Sequence, residues 1–236
     1  MSPAELAADA RVLLHLLRGQ RRGGSHAERL ADFYAPQAER YDAFRARLLH
    51  GRETLIRALD VRPGMRVVEL GCGTGANLAA LAEACPLEAL AEVQLVDLCA
   101  PLLALARERA SGHANVAVVE ADATAWQPAR PADRVFLSYA LTMMPDWRAV
   151  LDNACAMLAP GGRIGLVDFH LPGDGSRLGN AFWRRWFAHD GVHLSAQHVP
   201  ALRERVEILL LAERRAAVPY LPWLRAPYYL FVGTRA

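Results

Sequence analysis

Short, largely apolar runs alternate with stretches of helical periodicity through the middle of this chain. The runs 65–70, 92–97, 115–119, 133–139 and 163–169 read as strands buried on both faces. Between them, 75–84, 100–110 and 147–158 carry apolar positions at helical spacing. Strand and helix in alternation predict a parallel sheet covered by helices, an α/β architecture. Beyond Pro172 the pattern loosens into Gly173-Asp174-Gly175-Ser176 and then an aromatic helix near 179–188. Runs 206–213 and 227–234 predict a closing antiparallel hairpin with a long, proline-rich connection.

The whole predicts a Rossmann-like sheet of seven strands, five parallel plus the C-terminal hairpin. Ahead of it, residues 3–18 form an amphipathic helix candidate with Leu6, Ala10, Leu13, Leu14 and Leu17 on one face, ending in Arg18-Gly19-Gln20-Arg21-Arg22. Residues 26–60 read as two helices interrupted near Pro36. The expected organisation is an N-terminal helical extension or lid over 1–60 and a ligand-binding domain over 61–236.

Chemistry concentrates where the strands end. The first strand runs into Glu69-Leu70-Gly71-Cys72-Gly73-Thr74-Gly75, a turn whose glycines let backbone lie directly against a ligand. The second ends in Asp97, twenty-two residues after Gly75, and the third is followed by Glu120-Ala121-Asp122-Ala123. Successive acids at strand ends describe one crevice at the carboxyl edge of a parallel sheet. A dinucleotide fingerprint is Gly-x-Gly-x-x-Gly beside a pyrophosphate. Here the third glycine comes one residue early and an acid precedes the first, which favours a cationic ligand.

Composition narrows the classes. With 236 residues the chain suits one α/β domain with modest additions. No uninterrupted apolar run approaches the ~18 residues of a membrane span, and the start lacks a basic-then-apolar secretion pattern, so the expected location is cytoplasmic. Cys72, Cys85, Cys99 and Cys155 are scattered and read as core residues rather than disulfides or a metal site. A net charge of +2 is too small to argue for nucleic acid. All 27 basic residues are arginine, which rules out Schiff-base chemistry and a lysine base.

The glycine turn with its preceding acid resembles motif I of the class I S-adenosylmethionine-dependent methyltransferases. That resemblance implies S-adenosylmethionine as cofactor. Asp97 would bond the ribose hydroxyls, Leu98 would pack on adenine, and Asp122 with the Ala123 amide would read the adenine edge. Glu69, Gly71, Cys72, Gly73, Gly75, Asn77, Ser138 and Tyr139 complete the expected cofactor set, with Tyr41 and Arg52 folding over it from the N-terminal helices. Three further segments resemble one subfamily: Phe33–Asp42 with Leu49–Glu53, Ser138–Trp147 with Gly165–Phe169, and Val218–Tyr229. They are similar to the diacylglyceryl-homoserine N-methyltransferases of betaine-lipid synthesis. The implied reaction is three successive methylations of the homoserine amine of a lipid headgroup, coupled to the synthase that makes that lipid.

Asp168, His170 and Tyr139 are the expected catalytic residues. Asp168 would hold the ammonium and His170, with its ordinary pKa near 6.5, could accept a proton; Asp146 is a further candidate base. Tyr34, Tyr41, Tyr139, Trp147 and Phe169 are candidate rings for a growing trimethylammonium cation. Arg52 would fork onto a carboxylate or pair at the surface with Glu53 or Asp42. Nine of the 18 aromatic residues follow position 180, interleaved with arginine in Phe182–Phe187 and Trp223-Leu224-Arg225, an expected contact with a membrane surface. Two other readings stay open: methylation of a quinone or other small apolar acceptor, and a catalytically silent partner of the lipid synthase.

Overall fold

The structure, a computed structural model, describes Glu28 and residues 47–235 apart from 174, 189, 190 and 220. The expected helix over 3–18, the interruption at Pro36, and Tyr34, Tyr41 and Asp42 lie outside the described residues. In chain order the elements are α1 (Arg52–Ala58), β1 (Arg66–Leu70), α2 (Asn77–Ala84), β2 (Glu92–Asp97), α3 (Ala100–Ala110), β3 (Val116–Glu120) and β4 (Ala132–Ser138). Then follow α4 (Trp147–Ala156), β5 (Leu158–Phe169), α5 (Arg177–Ala188), α6 (His198–Arg203), β6 (Glu207–Val218) and β7 (Leu221–Thr234).

The seven strands form one sheet in the order β3-β2-β1-β4-β5-β7-β6. Strands β1 to β5 are parallel, and β7 runs antiparallel to both β5 and β6, as the sequence pattern predicts. After β3 the chain returns to the other side of β1, so β1 and β4 flank the point where strand order reverses. In such sheets ligands bind outside the carboxyl ends at that point.

Alternation along each strand sends side chains to two cores. Val67, Leu95, Phe136 and Leu230 pack with α1, α2, α3 and α5; Val68, Val96, Leu137 and Phe231 pack with α4 and α6. Helix α1 is built into the first core: Leu55, Ile56 and Leu59 are fully buried, and a side chain at Gly165 of β5 would meet Leu55 and Leu59.

The hairpin differs from expectation. Instead of a long connection, the β6–β7 ladder continues through Arg215↔Pro227, Ala216↔Ala226 and Ala217↔Arg225 to a tight turn. Strand β5 ends at Phe169↔Tyr228, and the Pro227 carbonyl accepts one last backbone bond from the His170 N–H at 3.0 Å, so the proline sits at the end of that pairing rather than inside it. The hairpin therefore projects beyond the carboxyl edge of the sheet. Helix α4 stops at Ala156, and β5 starts at Leu158 with a register shift around Pro160-Gly161-Gly162. Helix α6 spans only six residues around Pro200 and gives no periodic signal.

Candidate active site

Strand β1 leads into Gly71, Gly73 and Gly75, with φ of 73°, 55° and 71°. These left-handed values are strained for any residue with a Cβ. The three glycines do different work. A Cβ on Gly71 would collide with Ala140 in the loop after β4 and reach 3.0 Å from Met144 Cε. One on Gly75 would sit 3.3 Å from Ala106 and Leu95, closing the packing of α3 on β2. Gly73 has room for a side chain but faces the crevice, and its N–H donates to Asp97 Oδ2 at 2.7 Å. Arg109 of α3 clamps the turn by donating to the Thr74 carbonyl and hydroxyl, both at 2.7 Å. Nothing in the sequence near the glycines announces that clamp.

Asp97 is positioned by two backbone donors, Gly73 and Cys99, one on each carboxylate oxygen. A carboxylate can accept several hydrogen bonds at once, a chemistry that suits the hydroxyls of a sugar. Asp122 Oδ1 accepts the Thr124 N–H and hydroxyl, both at 2.8 Å. Asn153 of α4 donates to the Ala123 and Trp126 carbonyls and holds that loop in place.

Between these strand ends lies a cavity of about 420 Å³. It gathers Arg52, Gly71, Cys72, Gly73, Asn77, Asp97, Leu98, Asp122, Ala123, Ser138 and Tyr139 of the expected set. Met143, Met144 and Pro145 form a wall that sequence reasoning assigned no role. Glu69 lies beneath the turn, buried, with Oε1 accepting from Asn77 Nδ2 at 2.6 Å. Its Oε2 is buried without a hydrogen-bond partner, as is Ser138 Oγ. Burial pushes the Glu69 carboxyl up to about 8, against the Asn77 hydrogen bond and the Arg52 charge, which lower it. An orphaned buried carboxylate oxygen beside a ligand crevice calls for a donor, and an ammonium group supplies one.

Tyr139 closes β4 at φ 55°, an outlying conformation for an aromatic residue and a mark of local strain. Its hydroxyl donates to the His50 carbonyl at 2.7 Å, and its ring meets Phe169 edge-on at 4.8 Å. The Arg52 guanidinium stands 6.0 Å from the ring centroid. Glu53 pairs with Arg57 rather than Arg52.

The other expected catalytic residues lie elsewhere. Asp168 is buried and accepts from the Thr142 hydroxyl (2.7 Å), the Thr142 N–H (3.1 Å) and the Phe169 N–H (2.8 Å). Burial raises it to about 6 despite those bonds. It does not line the cavity; it fastens the Leu141–Met143 turn that carries the methionine wall. His170 is also buried outside the cavity, with Nε2 3.2 Å from Glu213 Oε2 but without hydrogen-bond alignment. Asp168 is in the last two residues of β5 and His170 follows its end, beside β7 and one strand away from the β1/β4 crevice. Trp147 packs on His198 and Phe169 on Phe187, so of the described candidate rings Tyr139 alone lines the cavity. Among the described residues no group of acids, histidines and cysteines could hold a metal ion.

Residues 67–162 match the family model of a methyltransferase domain. Over those residues the chain is similar to S-adenosylmethionine-dependent methyltransferase domains. The residues of the crevice fit S-adenosylmethionine, with a buried acid near its amino-acid end, Asp97 for a ribose, and a glycine cradle. Among curated relatives, the chain is 33% identical to the demethylmenaquinone methyltransferase of Thermus thermophilus over 147 residues, 59% of this chain and 65% of that protein. It is also 33% identical to the trans-aconitate 2-methyltransferase of an Azoarcus species over 112 residues, 48% of this chain and 42% of that one. The chain thus spans less than two thirds of either relative. Among solved structures, the N-methyltransferase NodS of Bradyrhizobium japonicum, in complex with S-adenosyl-L-homocysteine, superposes with TM-score 0.67 at 17% identity, covering 87% of this chain and 98% of NodS. Phosphoethanolamine N-methyltransferase 2 of Haemonchus contortus gives 0.71 at 14% identity, covering 91% of this chain and 61% of that one. At these identities the methyltransferase domain shares their fold.

Proposed function

We propose that this chain methylates the amine of a lipid headgroup of the diacylglyceryl-homoserine type, in successive steps, with S-adenosylmethionine as donor. The observation that carries this reading is the charge of the cavity. Among the described residues, Asp146 lines its acceptor-side rim beyond the Asp97 and Asp122 that would meet the cofactor, with Arg52 as the one lining cation. Such a wall attracts an ammonium acceptor and repels a polycarboxylate, which weighs against an acceptor like that of the aconitate relatives. The resembling segments support it further. Ser138–Asp146 supplies the cavity wall, Thr142 is bonded to Asp168, and Asp168 and Phe169 pair with Tyr229 and Tyr228 of the tail segment.

When bound, the cofactor supplies an activated methyl group on a sulfonium. The remaining work is alignment and exclusion of water. Glu69 and Asp97 hold the donor's two ends, while Met143, Met144 and Pro145 present an apolar wall that keeps water from the acceptor side. Asp146, exposed at the rim and N-capping α4, attracts the substrate ammonium and passes its proton to solvent. His170 takes no part, because it lies outside the cavity.

Tyr139 then binds the cation that loses its N–H donors as methylation proceeds. A ring face is worth about 0.5–2 kcal/mol to such a cation. Tyr139→Ala is expected to slow the third methylation by roughly 2- to 30-fold more than the first. Tyr139→Phe, which keeps the ring and loses the bond to His50, retains the third step. Equal loss of all three steps in a product-resolved assay contradicts the role.

A second reading is supported by the 33% identity to a demethylmenaquinone methyltransferase and by the same methionine wall, which suits a quinone ring. Incubation with methyl-labelled S-adenosylmethionine and extracts containing both acceptors separates the two. The expected result is label in mono-, di- and trimethylated headgroups; label in a lipid quinone instead overturns the amine reading.

A further inference from the structure

The aromatic run 182–187 does not act as one patch. Trp183 and Phe187 are buried and stack at 5.6 Å, with Phe187 against Phe169 at 4.2 Å, next to the cavity's Tyr139. Leu178, Phe182 and Trp186 follow at intervals of four on the neighbouring, solvent-facing side of α5, at 86%, 44% and 42% exposure, with Phe182 edge-on to Trp183 at 5.1 Å. Arg177, Arg184 and Arg185 are exposed on the same helix, which contains no acid. A helix with one apolar stripe spent on the core and a second left in water is unusual for a surface helix.

The projecting hairpin repeats this chemistry at the same end of the sheet. Trp223, 77% exposed, and Arg225 lie two apart on β7 and share a face. Arg214 and Arg215 are exposed on β6 across from Tyr228 and Pro227, nearer the sheet, while the neighbouring acid Glu213 is turned to His170. The cavity opens at the carboxyl edge, past which this hairpin reaches and beyond which α5 follows β5.

We propose that the outward face of α5, together with the β6–β7 hairpin tip, docks on an anionic lipid bilayer. The proposal gives the lipid-acceptor reading its route to substrate and rests on that reading for its purpose, though not for its geometry. Aromatic and leucine side chains enter the headgroup layer while arginine heads meet lipid phosphate and their stems stay apolar. A second copy of the chain fits less well: a two-fold contact would set this arginine-rich face against itself.

Flotation of the full chain with vesicles tests it. The expected result is binding at low salt to phosphatidylcholine vesicles containing phosphatidylglycerol, release at high salt, and little binding to phosphatidylcholine alone. Arg184→Glu with Arg185→Glu weakens partition by on the order of 30-fold or more, since each basic residue near such a surface is worth about fivefold. Phe182→Ser with Trp186→Ser also loses binding, with only a modest fall in thermal midpoint, because those rings meet the core solely at the edge of Trp183. No flotation at low salt, equal flotation on neutral vesicles, or unaffected variants overturn the proposal. So does a stable dimer in solution that the Phe182/Trp186 variant dissociates. A protein that floats but labels no headgroup amine removes the acceptor reading and leaves this surface standing. A protein that methylates detergent-dispersed lipid yet never floats does the reverse.

Discussion

Replacing Asp97 by alanine is expected to weaken binding of S-adenosylhomocysteine by at least about 100-fold, with activity lost in proportion at subsaturating cofactor. Hydrogen bonds to a charged acceptor contribute about 1.5–3 kcal/mol each, and two hydroxyls of a ribose would meet this carboxylate. The substitution also releases the Gly73 and Cys99 N–H groups, which now donate to Oδ2 and Oδ1 at 2.7 and 2.8 Å. Gly73 is the residue at the floor of the cradle, so its loss of anchorage loosens the turn as well as removing the ligand's partner. Asp97→Asn separates these effects. Its amide oxygen keeps one backbone donor, so the fold is held while the charge and one acceptor are gone. Titration calorimetry with S-adenosylhomocysteine reads the affinity, and the thermal midpoint reads the fold. A ligand affinity within a few-fold of the wild type in Asp97→Ala would mean that the crevice holds some other molecule, or holds this one another way.

The sheet and its crevice were legible because they depend on local, periodic signals. Five parallel strands, three acids at strand ends and a glycine-punctuated turn each leave a mark in a window of a few residues. Asp97 and Asp122 arrive at the cavity from positions 25 residues apart because parallel β2 and β3 both end there. What was not legible depends on contacts between distant segments. Arg109 reaches Thr74 across 35 residues, Asn153 reaches Ala123 across 30, and Thr142 reaches Asp168 across 26. Each is an ordinary polar residue in its own neighbourhood. Asp168 and His170 were misplaced for a related reason: ending a strand puts a residue at the carboxyl edge, but which crevice it faces is decided by the strand beside it. The hairpin was misjudged because prolines at 219, 222 and 227 read as breaks, whereas β7 carries Pro227 at the end of its pairing with β5, where a missing N–H interrupts no ladder. The aromatic run 182–187 gave the right helix and no means of telling its buried stripe from its exposed one.

Cofactor binding is expected to expel close to one proton at pH 7, and the proton comes from Glu69. Burial raises this carboxyl to about 8, so in the ligand-free domain it is mostly protonated at neutral pH. An ammonium group placed against its unpartnered Oε2 favours the carboxylate and pulls the value down. Affinity for S-adenosylhomocysteine, which keeps the amino-acid end of the donor, therefore rises by up to about tenfold per pH unit from pH 6 toward 8 and then levels. The sign for the ligand-free fold is opposite. A carboxyl whose folded value lies above its unfolded one binds more protons when folded, so stability is fullest at low pH and falls as pH rises toward 8. The limiting slope is about 1.4 kcal/mol per pH unit. Asp168, held up to about 6, adds to that slope only below pH 6 and touches no ligand. Glu69→Gln fixes the neutral form: it binds the ligand more weakly, releases no proton, and loses the fall in thermal midpoint between pH 6 and 8. Titrations at pH 7 in buffers of different ionisation enthalpy measure the proton directly. Heats that do not vary with buffer, in a protein that binds the ligand well, would place the ammonium group away from Glu69 and leave that buried oxygen without its partner.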